Sequence, residues 1–182
     1  MSLSAEVRDL LKLIATSVLI CLALAIGLLA ILFHSKSPPK EKQMVQNFHA
    51  HRVTFERLRA MLIEDKKLVR LADWGVQTTT SMGTSEHLTG DFPPDRYKQY
   101  LALLKEVGGM GADRDGNDPP ADVCIWMYAS GWAGETRHLD VCWEAQVPTN
   151  QATSLDDFYR TPKPRKPVFS HLESNWYLWA DW

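Results

Sequence analysis

The sequence predicts an α+β fold, in which an N-terminal transmembrane helix precedes two helices packed on a small antiparallel sheet. An uncharged apolar run lies near the N-terminus, two later segments repeat apolar residues at helical spacing, and Gly- and Pro-bounded aromatic runs follow. Because the helical segments precede most of the strand-like ones, we expect the helices to cover one antiparallel sheet. The 182 residues carry a net charge of −2, which offers no basic surface for nucleic acid.

The apolar run extends from residue 13 to residue 33, LIATSVLICLALAIGLLAILF, without a charge. As a helix it would span about 31 Å, which matches the hydrocarbon core of a bilayer. It is longer than the apolar region of a cleaved secretory signal and ends without a small-x-small site. A lipoprotein signal would acylate Cys21, but the residues just before it lack a small side chain. We therefore predict a tail at 1–12 and an uncleaved anchor in the lipid bilayer at 13–33.

The remainder of the chain predicts one aqueous domain on a short tether. Residues 34–43, HSKSPPKEKQ, are polar and proline-bearing, as is typical of a linker. Residues 44–182 are numerous enough to bury a core of their own, and they form the predicted α+β extracytoplasmic domain.

Two helices are predicted in the first half of this domain. Residues 44–72 contain no Gly or Pro and predict one long helix, and residues 73–94 then predict a short strand and a loop. A second helix follows Pro93 and ends at Gly108 and Gly109. Residues 112–122, ADRDGNDPPAD, predict an acidic loop. The apolar stripe of the first helix comprises Met44, Phe48, His51, Phe55, Leu58, Leu62 and Val69.

Two cysteine-bearing runs, VCIWMYAS and HLDVCWEA, flank a glycine-rich centre and predict an antiparallel hairpin. If Cys124 faces Cys142, core residues share one face and the two cysteines lie within disulfide reach. Two buried free cysteines remain the alternative, and a metal site is disfavoured because His138 is the one other soft ligand nearby. The same register makes three further pairs: Ile125 with Val141, Trp126 with Asp140, and Tyr128 with His138.

Two signals disagree about topology. The C-terminal flank of the apolar run has one more Lys or Arg than the N-terminal flank, which weakly favours a cytoplasmic domain. A disulfide instead implies an oxidising compartment. We therefore predict a single-pass inner-membrane protein with its N-terminus inside and its domain in the periplasm.

The C-terminal part predicts a long connection followed by a closing hairpin. The hairpin covers residues 168–182 and turns at Ser174 and Asn175. Within the connection, TPKPRKP at 161–167 favours an extended backbone that presents cations to an acidic partner or lipid headgroups. The alternative is a rigid, soluble connector. The residues of this candidate binding loop are Lys163, Arg165 and Lys166.

The remaining motifs give weak chemical signals. His49 and His51 are two positions apart and do not share a helix face. The run DRDGND at 113–118 lacks the glycine and glutamate that a calcium loop needs, and GTSEH at 83–87 lacks the final glycine of a nucleophile elbow. His138 and Asp140 could form a base-and-orienter dyad on one strand face. We predict no catalytic residue, metal or cofactor.

Three C-terminal segments, ASGWAGETRHLDVCW, SLDDFYRTPKPRKPVF and NWYLWADW, resemble small uncharacterised bacterial envelope proteins with one N-terminal anchor or lipoprotein signal. The resemblance covers most of the chain after about residue 48 and implies an envelope location without an activity. We expect a non-enzymatic envelope protein that acts by protein–protein contact. One alternative is an immunity protein against a toxin from neighbouring bacteria, with residues 113–122 or 161–167 in contact. The other is a membrane-tethered hydrolase.

Overall fold

This computed structural model describes residues 14, 16–27, 38–79, 92–115, 121–130, 137–158 and 167–181. The chain divides into two compact units, Met1–Ser37 and Pro38–Trp182. Residues 16–27 of the first unit are helical. Within the described ranges, no helix combines the length and apolarity needed to cross a membrane. The predicted span at 13–33 lies partly outside those ranges and stays a prediction.

The described part of the second unit has four helices and a seven-stranded antiparallel sheet, which confirms the α+β class. The structure has two more helices than the prediction, and its sheet is larger than the small sheet predicted. The sheet order is β2-β1-β3-β4-β5-β7-β6. The helices are α1 (Glu41–Ala50), α2 (Arg52–Glu64), α3 (Pro94–Val107) and α4 (Leu155–Phe158). The strands are β1 (Leu68–Ala72), β2 (Gly75–Thr78), β3 (Gly111–Asp115), β4 (Asp122–Ser130), β5 (Arg137–Trp143), β6 (Val168–Glu173) and β7 (Trp176–Asp181).

The single long helix predicted over residues 44–72 is wrong in two places. The chain breaks at His51, whose φ of −116° and ψ of 25° separate α1 from α2. Helix α2 then ends at Glu64, and Leu68–Ala72 forms a strand between β2 and β3. Helical spacing in so short an apolar run is a weak signal, and pairing on both edges overrides it.

The core lies between the helices and one face of the sheet. At its centre the rings of Phe48, Phe55 and Trp176 are fully buried, with centroids 5.4–6.1 Å apart. Each large apolar side chain buried in this way stabilises the fold by about 1.5–3 kcal/mol. Five of the seven predicted stripe residues belong to this core: Met44, Phe48, Phe55, Leu58 and Leu62.

Paired charges attach the helices to the sheet. The Arg52 guanidinium forms ion pairs with Glu56 on its own helix and with Glu173 on β6. Glu56 also accepts a 3.0 Å hydrogen bond from the Trp176 indole N–H. In the first turn of α1, Glu41 accepts a 2.9 Å hydrogen bond from the backbone N–H of Leu155. Arg52, Glu56, Glu173 and Glu41 therefore all have partners at this interface.

Helix α3 and the closing hairpin agree with the sequence, whereas the acidic loop does not. Helix α3 has Pro94 at its first position and ends at Gly108, whose φ of 70° lies in the left-handed region that favours glycine. Strands β6 and β7 pair around Ser174 and Asn175. Residues 111–115 form a central strand, because Ala112 and Arg114 are buried on one face while acidic residues alternate on the other.

Candidate functional site

Cys124 and Cys142 form a disulfide across the two central strands β4 and β5, which confirms the predicted pairing. Their Cα atoms are 4.1 Å apart, as expected for directly opposed residues in an antiparallel pair. Cys142 is fully buried and Cys124 is partly exposed. The disulfide therefore joins the middle of the sheet and can be reached from one side.

The predicted register holds for three pairs and fails at the fourth. Cys124, Ile125 and Trp126 oppose the expected residues of β5. An irregularity between Trp126 and Tyr128 then shifts the register by one residue, so that Tyr128 opposes Leu139 instead of His138. The shift turns Tyr128 toward the core, where it packs against buried apolar residues. The predicted Tyr128–His138 pair is wrong for this reason.

Helices α1 to α4 pack on one face of the sheet, and the opposite face, called the helix-free face below, carries the disulfide. Side chains alternate between the two faces along each strand, so the strand pairings assign its residues. One row across it contains Arg70, Asp113, Cys124, Cys142, Tyr177 and His171. The next row contains Gly111, Trp126, Asp140, Trp179 and Phe169.

Gly111 explains how Trp126 lies across this face. A Cβ atom at position 111 would be 2.5 Å from a carbon of the Trp126 ring and 2.7 Å from the Leu71 carbonyl oxygen. Glycine therefore lets the indole approach the backbone of β3. The Trp126 indole N–H donates to Asp113, and the Arg70 guanidinium lies 5.7 Å from the indole centroid.

Two carboxyl groups lie beside Trp126 with raised pKa values. Burial raises the pKa of Asp113 to about 6, against the lowering effects of the Trp126 hydrogen bond and the Arg70 charge. Burial, and then the charge of Asp113, raise the pKa of Asp140 well above its ordinary value. Asp140 is 3% exposed, and its Oδ1 has no hydrogen-bond partner among the described residues. The backbone N–H of Met127 donates to the same carboxyl group.

Three further carboxyl groups form an acidic row at one end of the helix-free face: Asp115, Asp122 and Glu144. Asp115 directly opposes Asp122, and Glu144 follows Trp143, which opposes Val123. The backbone N–H of Ala145 donates to Asp122 Oδ1 at 2.7 Å. Burial, followed by the charges of Asp122 and Asp115, raises the pKa of Glu144 to about 7. The row therefore brings three carboxyl groups together, and repulsion by the other two disfavours the ionised form of Glu144.

Sequence reasoning missed that Asp140 and Glu144 join the acidic residues of 113–122. The signal was present in the cysteine pairing. Once Cys124 opposes Cys142, the same register places Glu144 beside Asp122 and Asp140 beside Trp126. The contribution of β3 was hidden, because its pairing with β4 depends on the order of the sheet.

A metal centre is not supported by the described geometry. The sulfur atoms of Cys124 and Cys142 and a carboxylate oxygen of Glu144 lie within 4.8 Å of one another. Both sulfurs are bonded in the disulfide, so neither offers the thiolate that metals bind. Asn117 and Asp118, which belong to the weak calcium motif, lie outside the described residues.

The proposed His138–Asp140 dyad is not assembled. Both side chains share the helix-free face, but no hydrogen bond joins them in the part of the chain that is described. The His138 ring lies 6.2 Å from that of Trp179, and burial lowers the pKa of His138. Burial also raises the pKa of Asp140, which disfavours the ionised form that an orienting carboxylate uses.

The other sequence candidates do not converge on a site. His49 lies 3.6 Å from Glu173 and His51 lies 3.9 Å from Glu106, so the two histidines have different partners. The candidate binding loop, comprising Lys163, Arg165 and Lys166, lies outside the described residues, and so do Ser85 and His87.

A cleft of about 560 Å³ opens beside the end of α2 and is lined in part by Asp65, Thr78 and Phe92. The partly buried carboxylate of this cleft, Asp65, already has structural partners. Asp65 accepts 2.7 Å hydrogen bonds from the Tyr100 hydroxyl and from Arg96 Nε. These contacts tie α2 to α3 and leave the cleft without a described catalytic arrangement.

Comparison of the chain with protein-family models, with curated proteins and with solved structures finds no match. The resemblance to small bacterial envelope proteins therefore stays a prediction. Function has to be inferred from the geometry of the molecule itself.

Proposed function

We propose that this chain is a single-pass, membrane-anchored envelope protein that acts by protein–protein contact, with the helix-free face as its contact surface. The observation that carries the proposal is the asymmetry of the sheet. One face is covered by helices, whereas the other presents the partly exposed rings of Trp126, Trp179 and Phe169. Aromatic side chains grouped on an accessible face are enriched at protein interfaces.

The location rests on two features of different strength. The Cys124–Cys142 disulfide indicates an oxidising, extracytoplasmic compartment. The uncharged run at 13–33 supports an inner-membrane anchor, and together they favour the periplasm. A charged, membrane-impermeant maleimide tests this in intact spheroplasts. It should label a Val53→Cys variant in a Cys21→Ser background, and labelling only after lysis would place the domain in the cytosol.

Face-specific photocrosslinking tests the contact itself. A photoreactive residue replaces exposed His171 on the helix-free face, and a matched one replaces Val53, which is 82% exposed on α2. In intact cells we expect a discrete adduct from position 171 and none from position 53. An adduct from position 53 alone would overturn the proposal, because the partner would then bind the helices.

The acidic row favours one special case, an immunity protein that neutralises a basic toxin. Asp113 and Asp115, at the start of the predicted contact segment 113–122, lie on the helix-free face with Asp122. Deletion of the gene should then make cells susceptible to siblings that carry the cognate toxin. Unharmed deletion strains would remove the immunity hypothesis and leave the contact proposal standing. The hydrolase hypothesis gains no support, because His138 and Asp140 are not joined.

A further inference from the structure

We propose that the helix-free face binds a lysine- or arginine-rich segment of a protein partner, which lies along the acidic row and over the neighbouring indoles. This inference rests on the proposed contact function and names the chemistry of the partner. It follows from charge, from an unsatisfied buried group and from the aromatic side chains of the face.

The charge on this face is unbalanced. Among its described side chains, Arg70 alone is permanently cationic. The carboxyl groups are six: Asp113, Asp115, Asp122, Asp140, Glu144 and Asp181. The Arg70 guanidinium lies over Trp126, and Arg70 itself belongs to β1, three strands from β5, which Glu144 follows. A partner that brings cations to β4 and β5 would therefore meet an excess of carboxyl groups.

Asp140 points independently to a ligand. Its Oδ1 is buried on the same face, between the strand neighbours Trp126 and Trp179, and no group in the described part of the chain is hydrogen-bonded to it. Leaving a buried polar atom unsatisfied costs about 1–3 kcal/mol, so native structures rarely do so without a reason. A guanidinium or ammonium group entering between the two indoles would supply the missing donor.

The aromatic side chains suit the same ligand. Cations bind over indole faces within about 6 Å of the ring centroid, and Arg70 already does so at 5.7 Å. Trp179 offers a second indole in the same row as Trp126. Carboxylates beside indoles are the combination that arginine and lysine side chains prefer.

Proton linkage gives the proposal a signature. Glu144 faces Asp122 on β4 and Asp115 on β3, and Cys142 beside it opposes Tyr177 on β7. Asp113 faces Arg70 on β1. A bound cation favours the ionised form of both carboxyl groups. Affinity should therefore rise as pH rises from about 5.5 to 8, and binding should release protons.

Calorimetry on the full chain in micelles of a zwitterionic detergent tests the proposal, with a capped arginine octapeptide as the probe and a glutamate octapeptide as the control. We expect saturable one-to-one binding of the arginine peptide alone. Replacing Asp115→Asn and Glu144→Gln together should weaken it about tenfold, the effect of two surface ion pairs. The matched control replaces Asp73→Asn and Asp95→Asn, two exposed acids outside the face, and should change affinity less than about twofold.

Several outcomes would overturn the inference. They are an absence of binding, equal weakening by both variant pairs, or an affinity that does not rise with pH. Circular dichroism and an intact disulfide establish that each variant is folded. If position 171 crosslinks a partner that the arginine peptide does not displace, the contact function stands and this inference is wrong. If position 171 captures nothing while position 53 does, the contact function itself fails.

Discussion

The two faces of the sheet use the same residue types for different purposes, and strand β7 has one tryptophan on each face. Trp176 points into the helix layer, where it is fully buried and its indole N–H is bonded to Glu56. Trp179 points to the helix-free face, where it is partly exposed beside His138. On the first face Arg52 pairs with Glu56 and Glu173, whereas on the second six carboxyl groups accompany one permanently cationic side chain, Arg70, among the described residues.

The helix-covered face is therefore the one that stabilises the fold. A face in which apolar groups are buried and charged groups are paired is optimised for stability. The helix-free face instead presents partly exposed indoles and an excess of carboxyl groups, and such departures from stable packing concentrate at functional sites. Substitutions on the two faces should therefore separate stability from binding.

The largest contrast is expected between the two tryptophans of β7. Trp176→Ala should lower the free energy of unfolding by about 3–5 kcal/mol, because it leaves a cavity against Phe48 and Phe55. Trp179→Ala should lower it by less than about 1.5 kcal/mol, because that ring is partly solvated already. Urea unfolding of the full chain in detergent measures both. Equal losses of unfolding free energy would contradict the conclusion that the helix-covered face contributes more stability than the helix-free face.

Breaking the disulfide should produce the next largest effect. Cys124 and Cys142 are 18 positions apart, and closing a loop of this size stabilises a fold by about 3 kcal/mol. Reduction of the wild-type chain should lower the unfolding free energy by about that amount. The unfolding free energy of the Cys124→Ala/Cys142→Ala variant should not change when reductant is added. The Cys21→Ser variant should lose as much stability on reduction as the wild-type chain does. A wild-type chain indifferent to reductant would show that the crosslink is dispensable.

Gly111→Ala should perturb the packing of the helix-free face alone. The added methyl group would collide with the Trp126 ring and the Leu71 carbonyl oxygen, and overpacking of this kind costs about 1–3 kcal/mol. Indole fluorescence should change as Trp126 leaves Asp113. In a Trp126→Ala background the same substitution should cost less, since one of the two clashes is gone. An identical cost in both backgrounds would mean that Trp126 does not lie against Gly111.

The smallest effect concerns pH. The folded chain binds the Glu144 proton more tightly than the unfolded chain, because the pKa of Glu144 rises from 4.5 to about 7 on folding. The unfolding free energy should therefore fall as pH rises from 4.5 through 7, relative to Glu144→Gln. We expect less than about 1 kcal/mol, since partial exposure screens the charge. Thermal unfolding at several pH values measures the difference, with Asp95→Asn as a control that keeps the wild-type slope. A Glu144→Gln slope equal to that of the wild type would refute the shifted pKa.

Local patterns predicted the parts of the fold that are local. Alternation and the cysteines predicted the β4–β5 hairpin, and the run around Ser174 predicted the β6–β7 hairpin. The sequence pattern predicted a helix for residues 68–72, because so short an apolar run fits both the helical and the strand repeat. These residues form a strand because they pair with β2 and β3. The bulge before Tyr128 has no composition signal that we could identify.

The candidate surface was predictable only in part. The disulfide and the pairing of Trp126 with Asp140 followed from one register. The acidic row could not be foreseen in full, because Asp115 reaches Asp122 and Glu144 through the order β3-β4-β5. That order is a property of the whole sheet, and no local pattern encodes it.

The decisive measurement is the yield of partner that is crosslinked from position 171, because it reports whether the helix-free face is the binding surface. The yield should be compared at equal amounts of folded protein in Trp179→Ala and in Arg57→Ala, which alters an exposed residue of α2. We predict that Trp179→Ala lowers the yield about fivefold or more, the effect of about 1 kcal/mol, while Arg57→Ala leaves it unchanged. A yield that survives Trp179→Ala and disappears in Arg57→Ala would contradict the account.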